Sequence, residues 1–219
     1  MKKTSIKTIG IEIEGEWTRR EINRFTKKKW EIKTDGSIHM CHHDHKKKLN
    51  AYEIVSPILQ RSHLTQTART IASISLRDYH WNDTCGFHIH IALKYYPAEL
   101  LWYNFASFFQ KKVKKSYPQE WEKRKTNTYC KPFHSSDQFN STNSRYHTVN
   151  PLAFTEHGTI EIRLFPAAPP PKMAEYLKWT IATIEEFTDI PHKINYKLEI
   201  DNLKIVKNFN EKLEKICVN

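Results

Sequence analysis

The stretch Thr8-Ile9-Gly10-Ile11-Glu12-Ile13-Glu14-Gly15-Glu16-Trp17 puts Ile9, Ile11 and Ile13 at odd positions and Glu12, Glu14 and Glu16 at even ones. Side chains along a strand point to opposite faces in turn, so the stretch reads as a strand with one apolar and one acidic face. Three carboxylates on one face repel each other, and a buried unpaired carboxylate is costly. Such a face needs water, basic partners or cations. A solvated outer strand is the plain alternative.

The pattern recurs downstream. In Cys85-Gly86-Phe87-His88-Ile89-His90-Ile91-Ala92-Leu93, the apolar Phe87, Ile89 and Ile91 oppose His88 and His90. In Thr159-Ile160-Glu161-Ile162-Arg163-Leu164-Phe165, Ile160, Ile162 and Leu164 oppose Glu161 and Arg163. The shorter Ala51-Tyr52-Glu53-Ile54-Val55-Ser56-Pro57 places Glu53 in another β-rich run. If these strands share one sheet, their apolar faces pack on helices in an α+β fold, and Glu, His and Arg line a cup.

The chain has 219 residues, 39% apolar and 12% aromatic, enough to fold as one domain over residues 1–219 with its own core. No apolar run approaches the roughly 20 residues of a membrane helix, and MKKTSIKTIG has no apolar signal core. These features predict a cytoplasmic protein without a membrane partner. The four cysteines, Cys41, Cys85, Cys130 and Cys217, form no C-x-x-C pair, which argues against a zinc ribbon or a redox motif. A net charge of +11, concentrated in Lys27–Lys29, Lys46–Lys48, Lys111–Lys112 and Lys114–Lys115, marks either a solubilising surface or a footprint for nucleic acid or another polyanion.

Taken in order, Trp17, Phe25 and Trp30 read as core anchors, and Trp30 to Lys33 as a short strand entering the turn Asp35-Gly36-Ser37. The run His39 to His45 reads as an exposed hairpin loop, with metal binding as its alternative. Helices are expected over Leu64–Asp78, Pro97–Lys115, Met173–Phe187 and Asn202–Ile216, the last two within a helical C-terminal portion spanning 173–219. Residues 116–144 lose periodicity, as a mobile lid over a substrate would.

The proposed cup gathers Glu12, Glu14, Glu53, His88, His90, Glu161, Arg145 and Arg163. Carboxylate oxygens suit hard Mg2+ or Mn2+, and arginines beside a metal grip phosphate oxygens as bidentate forks, which together point to ATP. There is no G-x-x-x-x-G-K loop, and five glycines are too few and too scattered for a dinucleotide fingerprint. Two plain alternatives stand beside this reading: a metal-free ion network around Glu12, Glu14, Glu161 and Arg163, and an ordinary core histidine at His88.

Six motifs in order give the chain a resemblance to the amidoligases, which belong with the glutamine synthetase and glutamate-cysteine ligase superfamily. They are Gly10–Glu14, Asp35–Ile38, Glu53–Pro57, Cys85–His90, Arg145–Asn150 and Thr159–Phe165. The resemblance implies a curved antiparallel sheet of the glutamine synthetase/guanidino kinase catalytic type, forming a cup backed by helices. It further implies ATP and Mg2+ as cofactors, a carboxylate and an amine as substrates, and an amide formed through an acyl phosphate. Glu12, Glu14, Glu53, His88 and Glu161 would hold metal, and Arg145 and Arg163 would hold phosphate. Asp35 would contact substrate or amine, while His90 would contact cofactor or substrate, or orient a neighbour. Phosphoryl transfer to a non-carboxylate acceptor in the same cup, and a nucleic-acid-binding protein with a purely structural cup, are the competing functions.

Overall fold

A computed structural model describes residues 6–38, 49–94, 98–132, 144–150 and 152–189. The acidic stretch is the middle of strand β1 (Ile6–Thr18), and four other strands pair with it. These are β3 (Leu49–Val55), β4 (Leu59–Gln60), β5 (Tyr79–His80) and β6 (Phe87–Leu93). With β2 (Glu31–Lys33), β7 (Val149–Asn150) and β8 (Ile160–Ile162) they form an open antiparallel sheet of eight strands, ordered β2-β3-β1-β6-β8-β7, with β4 and β5 on β1. The four alternating runs of the sequence therefore do lie in one sheet.

Six helices complete the mixed α/β fold among the described residues: α1 (Arg19–Lys27), α2 (Leu64–Ala72), α3 (Ala98–Ser116), α4 (Pro118–Arg124), α5 (Leu152–His157) and α6 (Pro170–Asp189). Ile9, Ile11 and Ile13 are buried, in one core with Phe87, Ile89 and Ile91 of β6 and Phe105, Phe109, Leu177 and Ile181 of the helices. Trp17, Phe25 and Trp30 join that core as expected. At the end of β1, the Thr18 hydroxyl accepts from the Glu21 amide and caps α1.

Several boundaries differ from the sequence expectation. Helix α2 stops at Ala72 rather than running to Asp78, because Ser73 bonds back to the Thr70 carbonyl and the chain turns there. Asp78 is thereby freed to accept from the Thr18 hydroxyl and to pair with Arg20. The stretch 116–144, read as patternless, contains α4, whose Trp121 is buried. The strand expected over Thr159–Phe165 pairs only over Ile160–Ile162, after which Arg163 and Phe165 bond to Thr148 and Phe87. Pro170, in the proline run, opens α6 at a position where its missing N–H costs nothing. The His39–His45 run, Pro97, the helix of Asn202–Ile216 and residues 133–143 of the suggested lid lie outside the described residues. No helix among the described residues is long and apolar enough to cross a membrane.

Candidate active site

Antiparallel register explains how residues far apart in sequence reach one face, because directly opposed residues point the same way. Glu12 faces His88, and Glu14 faces Glu53, which in turn faces Lys33. His90 faces Glu161, which faces Asn150. A band of acid, imidazole and amide groups thus crosses β2, β3, β1, β6, β8 and β7. It lines a cleft of about 350 Å³ that Asp35, Arg145 and Arg163 also border. Glu16 is on the same face of β1 but is buried beside β5, opposite His80.

At the centre, His88 Nδ1 lies 3.1 Å from Glu12 Oε2 and 3.7 Å from Glu161 Oε1, and its Nε2 lies 3.7 Å from Glu14 Oε1. His90 Nε2 is 3.1 Å from Glu12 Oε1, and its Nδ1 is 3.1 Å from the Thr159 hydroxyl. Glu161 accepts from Arg163 Nη1 at 2.6 Å and from Asn150 Nδ2 at 2.5 Å. Glu14 accepts from the Gly86 amide at 2.5 Å.

Burial alone would raise the pKa of Glu12, but hydrogen bonds with His88 and His90 outweigh it and hold the carboxyl far below its usual range. Glu161 is likewise lowered, because the charges of Arg163, His88 and His90 overcome its burial. His90 is raised, the Glu12 carboxylate outweighing the burial that would lower it. Glu53 goes the other way, pushed up to about 7 by burial and then by the charge of Glu12.

The donor set fits a hard divalent cation. One ligand atom each from Glu12, His90 and Glu161 lies within 4.8 Å of the others. His90 Nε2 is buried between carboxylate oxygens of Glu12, at 3.1 Å, and Glu161, at 3.9 Å. A cation coordinated there would relieve the carboxylate crowding and could take the His90 nitrogen as a ligand.

All nine residues singled out in the sequence border the cleft, and six of them, Glu12, Glu14, His88, His90, Glu161 and Arg163, form the connected centre. Glu53 adjoins it across the β1–β3 pairing. Arg145 is on the rim, its guanidinium over the Tyr146 ring, and Asp35 is at the other end, holding its own turn through the Ser37 amide. Sequence reasoning missed Asn150, Thr159, Arg124 and Tyr129. Alternation could have flagged Asn150, which sits in the strand opposite Glu161; Arg124 carried no local signal.

Gly86 shows how tightly the centre is built. A Cβ there would sit 2.4 Å from His88 Nε2 and 3.2 Å from Glu14 Oε2. Gly86→Ala is expected to cost about 1–3 kcal/mol in denaturant unfolding by overpacking and to move the His88 ring signals in NMR. An unchanged midpoint with unmoved signals would show that the ring has room to retreat.

The site is a charged band on an antiparallel sheet, with Arg163 paired to one of its clustered carboxylates. A family model described as "putative amidoligase enzyme" matches residues 7–137. The chain belongs to this amidoligase family, which makes it a member of a ligase family. No curated protein matches the chain.

Proposed function

We propose that the chain is an ATP- and Mg2+-dependent carboxylate-amine ligase of the cytoplasm, built on a curved sheet of the glutamine synthetase/guanidino kinase type. The observation that carries this reading is the band of Glu12, Glu14, Glu53, His88 and Glu161 on one face of the sheet, with Arg163 bonded to its edge. Those five residues would hold Mg2+, which when bound would offset the charge of the ATP phosphates. Arg145 and Arg163 would grip phosphate oxygens, and His90, which with Glu12 and Glu161 offers a cation one ligand atom each, would contact the metal–nucleotide complex. In the reaction, a substrate carboxylate oxygen attacks the γ-phosphorus of ATP and the bond to ADP breaks. The amine nitrogen then attacks the acyl carbon, phosphate leaves, and the nitrogen loses a proton. Asp35, at the far end of the cleft, would hold the incoming amine.

Hydroxylamine trapping tests this reading, because an acyl phosphate yields a hydroxamate and a phosphorylated alcohol or guanidine does not. Incubation with ATP, Mg2+ and a panel of carboxylic acids should give hydroxamate with matching ADP, and EDTA should stop both. ADP formed with an acceptor other than a carboxylate, and no hydroxamate, would replace the ligase by a phosphotransferase.

The titration behaviour of the site predicts how Mg2+ binding varies with pH. Without metal, Glu53 is protonated below about pH 7, and His90 holds its proton to higher pH than a free imidazole. Mg2+ must displace protons from such groups, so its affinity should rise with pH between about 5.5 and 8, by up to about tenfold per unit for each proton released. Calorimetry across that range checks the slope, and Glu53→Gln should flatten it. Affinity that is constant or falls with pH would remove Glu53 from the ligand set.

A further inference from the structure

Arg124 is the most deeply buried arginine among the described residues, 5% exposed, yet it borders the cleft. Elsewhere among the described residues, the half-buried arginines each have a carboxylate partner: Arg24 with Glu21, Arg61 with Glu185 and Arg163 with Glu161. Arg124 has none among the described residues. Its hydrogen bonds run to the carbonyls of Leu164 at 3.1 Å and Arg163 at 3.3 Å, which are neutral acceptors. Arg124 ends α4, but the negative end of a seven-residue helix offers at most about half a charge. A buried cation held by carbonyls and facing a cleft is an incomplete ion pair, and its missing half is an anion.

The neighbourhood suits a nucleotide. Asn127 and Arg145 also border the cleft; the Asn127 backbone amide donates to the Arg124 carbonyl at 2.9 Å, and the Arg145 guanidinium lies over the Tyr146 ring. Tyr129, 48% exposed, meets Tyr146 edge-on at 5.7 Å, leaving an aromatic surface beside the cationic groups. Arg163 shares its charge with Glu161, so it neutralises a phosphate less fully than Arg124 would.

We propose that Arg124 binds a phosphate group of the nucleotide, at the end of the cleft where Tyr129 and Tyr146 meet the base. The assignment rests on the ATP reading above for the identity of the anion, but not for its existence. Calorimetry on the full chain with three probes separates the two: inorganic tripolyphosphate, a non-hydrolysable ATP analogue with Mg2+, and adenosine. Arg124→Gln should weaken tripolyphosphate and the analogue by about tenfold or more, the worth of a charge-assisted hydrogen bond, and leave adenosine unaffected. Asn127→Asp is the second variant. Its side chain can still accept from the Tyr129 amide, as Asn127 does at 2.8 Å, while setting a negative charge beside the anion's place. It should weaken both phosphate probes to a similar degree at an unchanged unfolding temperature. Wild-type affinity for tripolyphosphate in either variant overturns the proposal and leaves Arg124 a brace for the Arg163–Leu164 backbone. Tripolyphosphate binding that depends on Arg124, with no binding of the ATP analogue, would keep the anion site and remove ATP.

Discussion

Glu12→Gln should lower ADP release by about 10–100-fold or more while the protein stays folded. The floor comes from metal sites in general, where losing even an outer partner of a ligand costs about 10–100-fold, so losing a ligand costs no less. Glu12 is the carboxylate that both histidines approach, at 3.1 Å each, and its pKa far below the usual range marks it as charged under all ordinary conditions. Glutamine keeps the shape and one acceptor but removes that charge, leaving a divalent cation underpaid by one unit. The fold is carried by the opposite face of β1, where Ile9, Ile11 and Ile13 are buried, so circular dichroism and the unfolding temperature should stay near wild type. Glu161→Gln should lose activity to the same extent but also lose stability, since Arg163 and Asn150 both donate to Glu161. Wild-type turnover in Glu12→Gln would leave the band a structural ion network and end the ligase reading.

Both the centre of the fold and the centre of the site could be read from alternation. β1, β6 and β8 each carry an apolar and a functional face, and strands of that kind have to bury one face and gather the other. What alternation does not encode is register. That His90 falls opposite Glu161 and Glu14 opposite Glu53 is set by pairings between residues up to about 70 positions apart, and no local pattern states them. Short elements escaped for a different reason. Helices α4 and α5, of seven and six residues, span less than about two turns each, too little for a period of 3.6 to show. Missing α4 meant missing Arg124, which reaches the cleft only because that helix packs Trp121 into the core and ends beside Leu164.

Trp17→Ala should be the most damaging single change to the fold, at about 3–5 kcal/mol, or a fall of roughly 6–20 °C in unfolding temperature for a chain of this size. Trp17 is fully buried, stacked on Tyr79 at 4.3 Å and edge-on to Phe25 at 5.8 Å, and its indole N–H donates to the Tyr52 carbonyl at 3.1 Å. Alanine would leave a cavity where three elements meet and strip the Tyr52 carbonyl of that donor. Trp17→Phe, which keeps a ring and loses only the N–H, should cost about 1–2 kcal/mol. The site feels this indirectly. Tyr52 neighbours Glu53 on β3, so the indole bond helps to hold the β1–β3 register that sets Glu14 opposite Glu53. A one-residue slip would turn the acidic face of a strand into the core, and burying those charges is prohibitive, so the pairing is either right or lost. Trp17→Ala should accordingly show cooperative denaturation at lower guanidinium concentration, with ADP release per folded molecule unchanged at low temperature. Activity that falls while the folded fraction holds would mean that β1 can shift within an intact sheet, and that the register of the acidic face is held elsewhere.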